Sequence, residues 1–166
     1  MPTLQNTEGL LRALDEAGVQ FVVVGGVAAH VHGSQIYTAD LDVLIPFSPD
    51  NTARVIAALA PLAAHFQRTN PPRPLPTDPM ELAQFRNAYL DTSLGRLDLL
   101  GAMPPVGDFA AVAARAQTHR LFGRPALVVA LPDLIAVKEG TGRPKDALVA
   151  AELRAVAARL AVVGPG

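Results

Sequence analysis

The sequence predicts an α/β fold, a small mixed β-sheet with helices packed on it. Three observations carry this. Two short apolar runs, Val19–Val24 and Leu41–Phe47, have strand length and end at Gly or Pro. Between and after them, apolar residues recur at helical spacing, as Leu10, Leu11 and Leu14 do. Segments at about 86–91 and 96–101 flank Thr92–Gly95 and read as a hairpin.

Taken in order, residues 5–17 read as a helix stopped by Gly18. Val19–Val24 is a buried strand broken by Gly25-Gly26, and residues 27–33 supply two helical turns ending at Gly33. Residues 34–39 form a loop, and the second strand follows, ended by Pro46 and Pro49. A helix over 50–64 is expected, capped by Asp50 or Asn51 and kinked at Pro61. The proline-rich stretch at about 69–79 reads as an ordered loop, because neither flank is long enough to fold alone. After the hairpin come a helix over 109–116, two short strands around Gly123-Arg124-Pro125, and a helix over 132–140 capped by Asp133. Pro144 opens the last helix, to about residue 160.

The chain has 166 residues, 50% hydrophobic and 17% charged, which fits one folded domain over 1–166 and excludes a disordered chain. Net charge is -1, so no global pull toward nucleic acid or an anionic membrane is expected. Charge is uneven: residues 1–50 hold six carboxylates against one Arg, residues 115–159 eight basic residues against four carboxylates. That asymmetry suits a metal meeting an anionic substrate. Without cysteine, disulfides, thiolate metal sites and thiol catalysis are excluded. With no leader pattern and no long apolar run, a cytoplasmic protein without a membrane partner is expected.

The chemistry concentrates in residues 21–45. A strand ends in Gly25-Gly26 and a helix begins at once, a geometry in which backbone N–H groups can approach a phosphate, although a plain tight turn uses the same residues. After thirteen intervening residues, Asp40 and Asp42 sit two apart at a strand start, so strand period puts both on one face. Paired carboxylates among Leu41 and Val43-Leu44-Ile45 repel each other unless a cation lies between them, and hard oxygen ligands with substrate phosphates suit Mg²⁺. Asp98 is a third acid inside an apolar strand, Arg-Leu-Asp-Leu-Leu.

Strand, Gly-Gly, then Asp-x-Asp, with a later strand Asp, resembles the nucleotidyltransferase fold of the DNA polymerase β superfamily. The ordered series His32-Gly33, Thr38-x-Asp40-x-Asp42, Gly95-Arg-Leu-Asp-Leu-Leu, Asp133-Leu-Ile-Ala-x-Lys138 and Gly142-Arg-Pro-Lys-Asp146 is similar to small bacterial nucleotidyltransferases related to the AbiEii toxin family. The resemblance implies that Gly25 and Gly26 cradle a nucleoside triphosphate and that Asp40 and Asp42 hold Mg²⁺. Asp98 would complete the metal site and help deprotonate the acceptor. Lys138 would touch the triphosphate, with Asp146 in the same C-terminal motif and Ser34 lending its hydroxyl to a phosphate. Read without the resemblance, Lys138 is also a cation in a helix's last turn and Asp146 an acid in a first turn. Arg143 and Lys145 are either phosphate contacts or solvated. His30 and His32 read as satisfied or exposed rather than facing a cleft. Ile36 departs from the family pattern, standing where an Arg is usual.

The resemblance thus implies an enzyme that moves a nucleoside monophosphate from an NTP to an acceptor hydroxyl and releases pyrophosphate. A tRNA 3′ end or a protein would be the acceptor, with an antitoxin protein as partner. Two alternatives stay beside it: a binding module that keeps the fold with reduced catalysis, which Ile36 favours, and a transferase acting on a small molecule such as an antibiotic.

Overall fold

In the computed structural model, which describes residues 3–36 and 38–163, α1 (Thr7–Glu16) is capped by the Asn6 side chain, which accepts from the Gly9 amide at 2.8 Å. Tyr37, in the loop expected over 34–39, lies outside the described residues. The chain then forms β1 (Val22–Val24), α2 (Gly25–Val31), β2 (Leu41–Leu44) and α3 (Pro49–Leu59). After β3 (His65–Phe66) and α4 (Pro79–Leu82) comes the hairpin of β4 (Asn87–Thr92) and β5 (Gly95–Leu100). A two-stranded ribbon, β6 (Ala102–Met103) and β7 (Gly107–Asp108), leads to α5 (Phe109–Arg115). The chain continues through β8 (Gln117–Leu121), β9 (Arg124–Val128), α6 (Leu131–Gly140) and α7 (Pro144–Val163).

Among the described residues, seven strands form one sheet in the order β3-β4-β5-β2-β1-β9-β8. The β2–β5 and β1–β9 pairs are parallel and the others antiparallel, so the expected mixed α/β sheet is present. On β4 and β5 one face is core: Ala88, Leu90, Leu97 and Leu99 are buried while Tyr89, Arg96 and Asp98 alternate with them on the other. Leu10, Leu14, Val55 and Leu59 from α1 and α3 join the same buried cluster. No helix among the described residues is long and apolar enough to cross a membrane.

Three local expectations are corrected. Ser48, not Asp50 or Asn51, caps α3, accepting from the Asn51 amide at 3.2 Å, with Pro49 as first helical residue. Asn51 is buried instead and ties Gln20 to Pro46, the entrance of β1 to the exit of β2. Pro61 does not kink α3 but sits in a separate 3₁₀ turn, Ala60–Leu62. Asp133 does not cap α6; the cap position is Ala130, and Asp133 accepts from Arg115 Nε at 2.7 Å.

Candidate functional site

The site is built where β2 meets β5. Their parallel register puts Asp42 directly beside Asp98, and each is half-buried between fully buried neighbours. The two carboxyls lie side by side and act directly on each other, an arrangement that favours a shared proton or a cation between them. Burial first, then the charge and contact of Asp98 and the charge of Asp40, push the Asp42 carboxyl up to about 7, against the opposing pull of Lys138. Asp98 is also raised, chiefly by burial, with the hydrogen bonds from Asp42 and Gln67 working the other way. Asp40 lies just before β2, half-buried, and its charge acts on both partners.

Gly25 and Gly26 close the site from the β1 end. Gly25 has φ +64°, and a Cβ there would overlap the Asp42 carboxylate, with Cγ at 2.9 Å. A Cβ on Gly26 would run into the Thr38 side chain. The glycine pair is therefore required by the Thr38–Asp42 segment as well as by the turn, which ties the two motifs into one unit. At the start of α2, Val24 provides no side-chain cap. Gly25→Ala is expected to lower stability by at least ~1 kcal/mol, from the left-handed backbone alone, and to shift Tm down by at least about 2 °C. Gly123→Ala is the control, because Gly123 has φ +80° and open space around it. Thermal melts should show the larger loss at Gly25, and equal losses would remove the contact with Asp42 from the account.

Lys138, in the last turn of α6, has its Nζ 3.1 Å from Asp146 Oδ1 in the first turn of α7, both largely buried. Asp146 also accepts from Thr141 Oγ1 at 2.8 Å and pairs with Arg143 Nε at 3.0 Å. Burial works against its charge, but these three donors outweigh it and hold the carboxyl below the usual range. Asp146 thus braces Lys138, whose charge is felt at Asp42. The two helix-end readings and the joint motif are the same arrangement.

The other candidates are engaged elsewhere. Ser34 is buried, and its hydroxyl donates to Glu152 of α7 at 2.5 Å and accepts from the Ile36 amide. It pins the loop before β2 onto α7. His30 Nδ1 lies 3.1 Å from the Ser34 carbonyl and His32 Nε2 2.7 Å from the Val129 carbonyl, so both rings are satisfied. Arg143 is mostly exposed apart from its pair with Asp146.

Gln67, which no sequence pattern marks, belongs to the site. Its Nε2 donates to Asp98 Oδ1 at 3.1 Å and to the Leu90 carbonyl at 3.0 Å, fixing the carboxylate's orientation. Tyr89 pairs with Asp98 across β4–β5 and is 48% exposed, so its ring lies on the same sheet face.

Among the described residues no three acids or imidazoles stand together as a ready metal ligand set. The structure brings two expected ligands together, Asp42 and Asp98, and leaves Asp40 at the strand entrance. A pair still fits Mg²⁺, which takes one or two carboxylates and fills its shell with water and substrate phosphates. No protein-family model and no curated protein matches the chain.

Proposed function

We propose that the chain is a Mg²⁺-dependent nucleotidyltransferase of the nucleotidyltransferase fold, moving a nucleoside monophosphate from an NTP to an acceptor hydroxyl. The observation that carries this reading is the pairing of Asp42 with Asp98 across neighbouring parallel strands. Two half-buried acids in contact are costly in a purely structural role, and a cation between them removes that cost.

Asp42 and Asp98 would hold Mg²⁺, with Asp40 adding negative charge at the entrance. The ion would neutralise the acids and polarise the α-phosphate. Asp98, oriented by Gln67, accepts the proton of the acceptor hydroxyl as its oxygen bonds to the α-phosphorus and pyrophosphate departs. Lys138, braced by Asp146, faces the triphosphate, and the Gly25 and Gly26 amides lie beside it. Ile36 offers no guanidinium, so Lys138 is the cation on which this reading relies for the phosphate charge.

A macromolecular acceptor, an RNA 3′ end or a protein hydroxyl, and a toxin-like role with a protein antitoxin complete the reading. The test incubates the protein with each α-labelled NTP, Mg²⁺ and total RNA or cell lysate. Label is expected in one class of RNA or protein band with at least one NTP. No label in any fraction with all four NTPs overturns the transferase reading.

A further inference from the structure

A cavity of about 650 Å³ opens at the far end of the strands that carry the acid pair. Phe47 beyond β2, Phe85 before β4 and Phe109 at the start of α5 line it, each half-buried. Arg86 and Asn87 line it too. Asn87 Oδ1 accepts the Gly101 amide at 3.1 Å, which leaves its NH₂ group to donate. Arg86 is exposed and has no side-chain hydrogen-bond or ion-pair partner among the described residues.

The cavity adjoins the proposed chemistry. Asn87 pairs with Leu100, and two residues along each strand Tyr89 pairs with Asp98. One same-face step along β4, about 7 Å, therefore separates Asn87 at the cavity's edge from Tyr89, the residue that stands beside Asp98 on the neighbouring strand. The volume falls within the roughly 300–1,000 Å³ of small-molecule sites.

We propose that this cavity is a nucleobase site, an inference that rests on the nucleotidyltransferase reading and deepens it. Aromatic walls stack a flat heterocycle. The donors of Arg86 and Asn87 match the acceptors that every base presents, whether ring nitrogens or carbonyl oxygens. The separation from Asp98 suits a ribose bridging the base to a phosphate at the acid pair. The base belongs either to the incoming NTP or to the last nucleotide of an RNA acceptor.

Two variants of opposite kind test this. Arg86→Ala removes the guanidinium donors, and Ala110→Trp, at an exposed lining position of α5, fills the space. Each is titrated beside wild type with Mg²⁺–tripolyphosphate, the four Mg²⁺–NTPs and a short single-stranded RNA. Tripolyphosphate should bind all three proteins alike, because it has no base. If the NTP supplies the base, NTP Kd rises about tenfold in both variants; if the acceptor does, RNA Kd rises instead and NTP Kd stays. Unchanged NTP and RNA binding in both variants, with tripolyphosphate still bound, overturns the base site and leaves the acid-pair reading standing. Failure of wild type to bind either tripolyphosphate or any NTP overturns both.

Discussion

Asp98→Asn is expected to lower nucleotidyl transfer by at least about a hundredfold, within the range for losing a general base, while Mg²⁺–NTP binding is weakened by the loss of one of two carboxylates but persists through Asp42 and the phosphates. The amide is nearly isosteric with the carboxyl. Its oxygen can still accept from Gln67 Nε2, and its NH₂ can donate to Asp42. The strand should therefore survive, and melting at neutral pH should be no lower than wild type, since one of two apposed acids is gone. What the variant lacks is a group that takes the acceptor's proton and an anionic oxygen on the attacking side. Label transfer from an α-labelled NTP, run beside a binding titration, reads both quantities. Normal transfer by the variant removes Asp98 from the chemistry.

Asp42→Asn is expected to make the protein more stable and inactive. The folded Asp42 carboxyl is raised to about 7, first by burial and then by Asp98 and Asp40. The unfolded chain releases that proton near the ordinary value of about 3.9. Between these values the folded state holds more proton than the unfolded one, so stability falls as pH rises and levels off above about 7. At pH 8 without divalent ions the wild type carries the whole penalty. The neutral amide removes it, and Tm should rise by at least about 3 °C at pH 8, given about 2–4 °C per kcal/mol at this size. The rise should shrink toward pH 4. Mg²⁺–NTP should raise the wild-type Tm at pH 8 and not the variant's. A variant that melts lower than wild type at pH 8, or that still gains from Mg²⁺–NTP, contradicts the assignment. The expected opposition of stability and activity is common where acids are held together for function.

What the sequence revealed and what it hid divide along physical lines. Local signals were legible. The β4–β5 hairpin follows from alternation and the Thr92–Gly95 turn, and α7 begins at Pro144 as the proline position implies. Their place inside apolar strands singles out Asp42 and Asp98 in the sequence itself. That β2 and β5 are parallel neighbours was not legible, because 56 residues separate Asp42 from Asp98 and no local pattern encodes strand order. Gln67 was hidden for the same reason: β3 is two residues long and is held by β4 rather than by its own propensity. The resemblance alone implies a phosphate at Ser34, and no local pattern shows that its hydroxyl donates to Glu152, 118 residues away. Asp133 has the chemistry of a cap for a helix over 132–140, yet the helix starts at Leu131 with Ala130 at the cap position, and Asp133 pairs with Arg115.

The central claim is that the acid pair of β2 and β5 takes a divalent ion together with a triphosphate. Calorimetric titration of ATP, CTP, GTP and UTP into the wild type, with and without Mg²⁺, and into Asp42→Asn tests it most directly. Saturable binding of at least one NTP that requires Mg²⁺ and is lost in the variant is the predicted result. Equal, metal-independent binding by wild type and variant, or none with Mg²⁺ present, would contradict it.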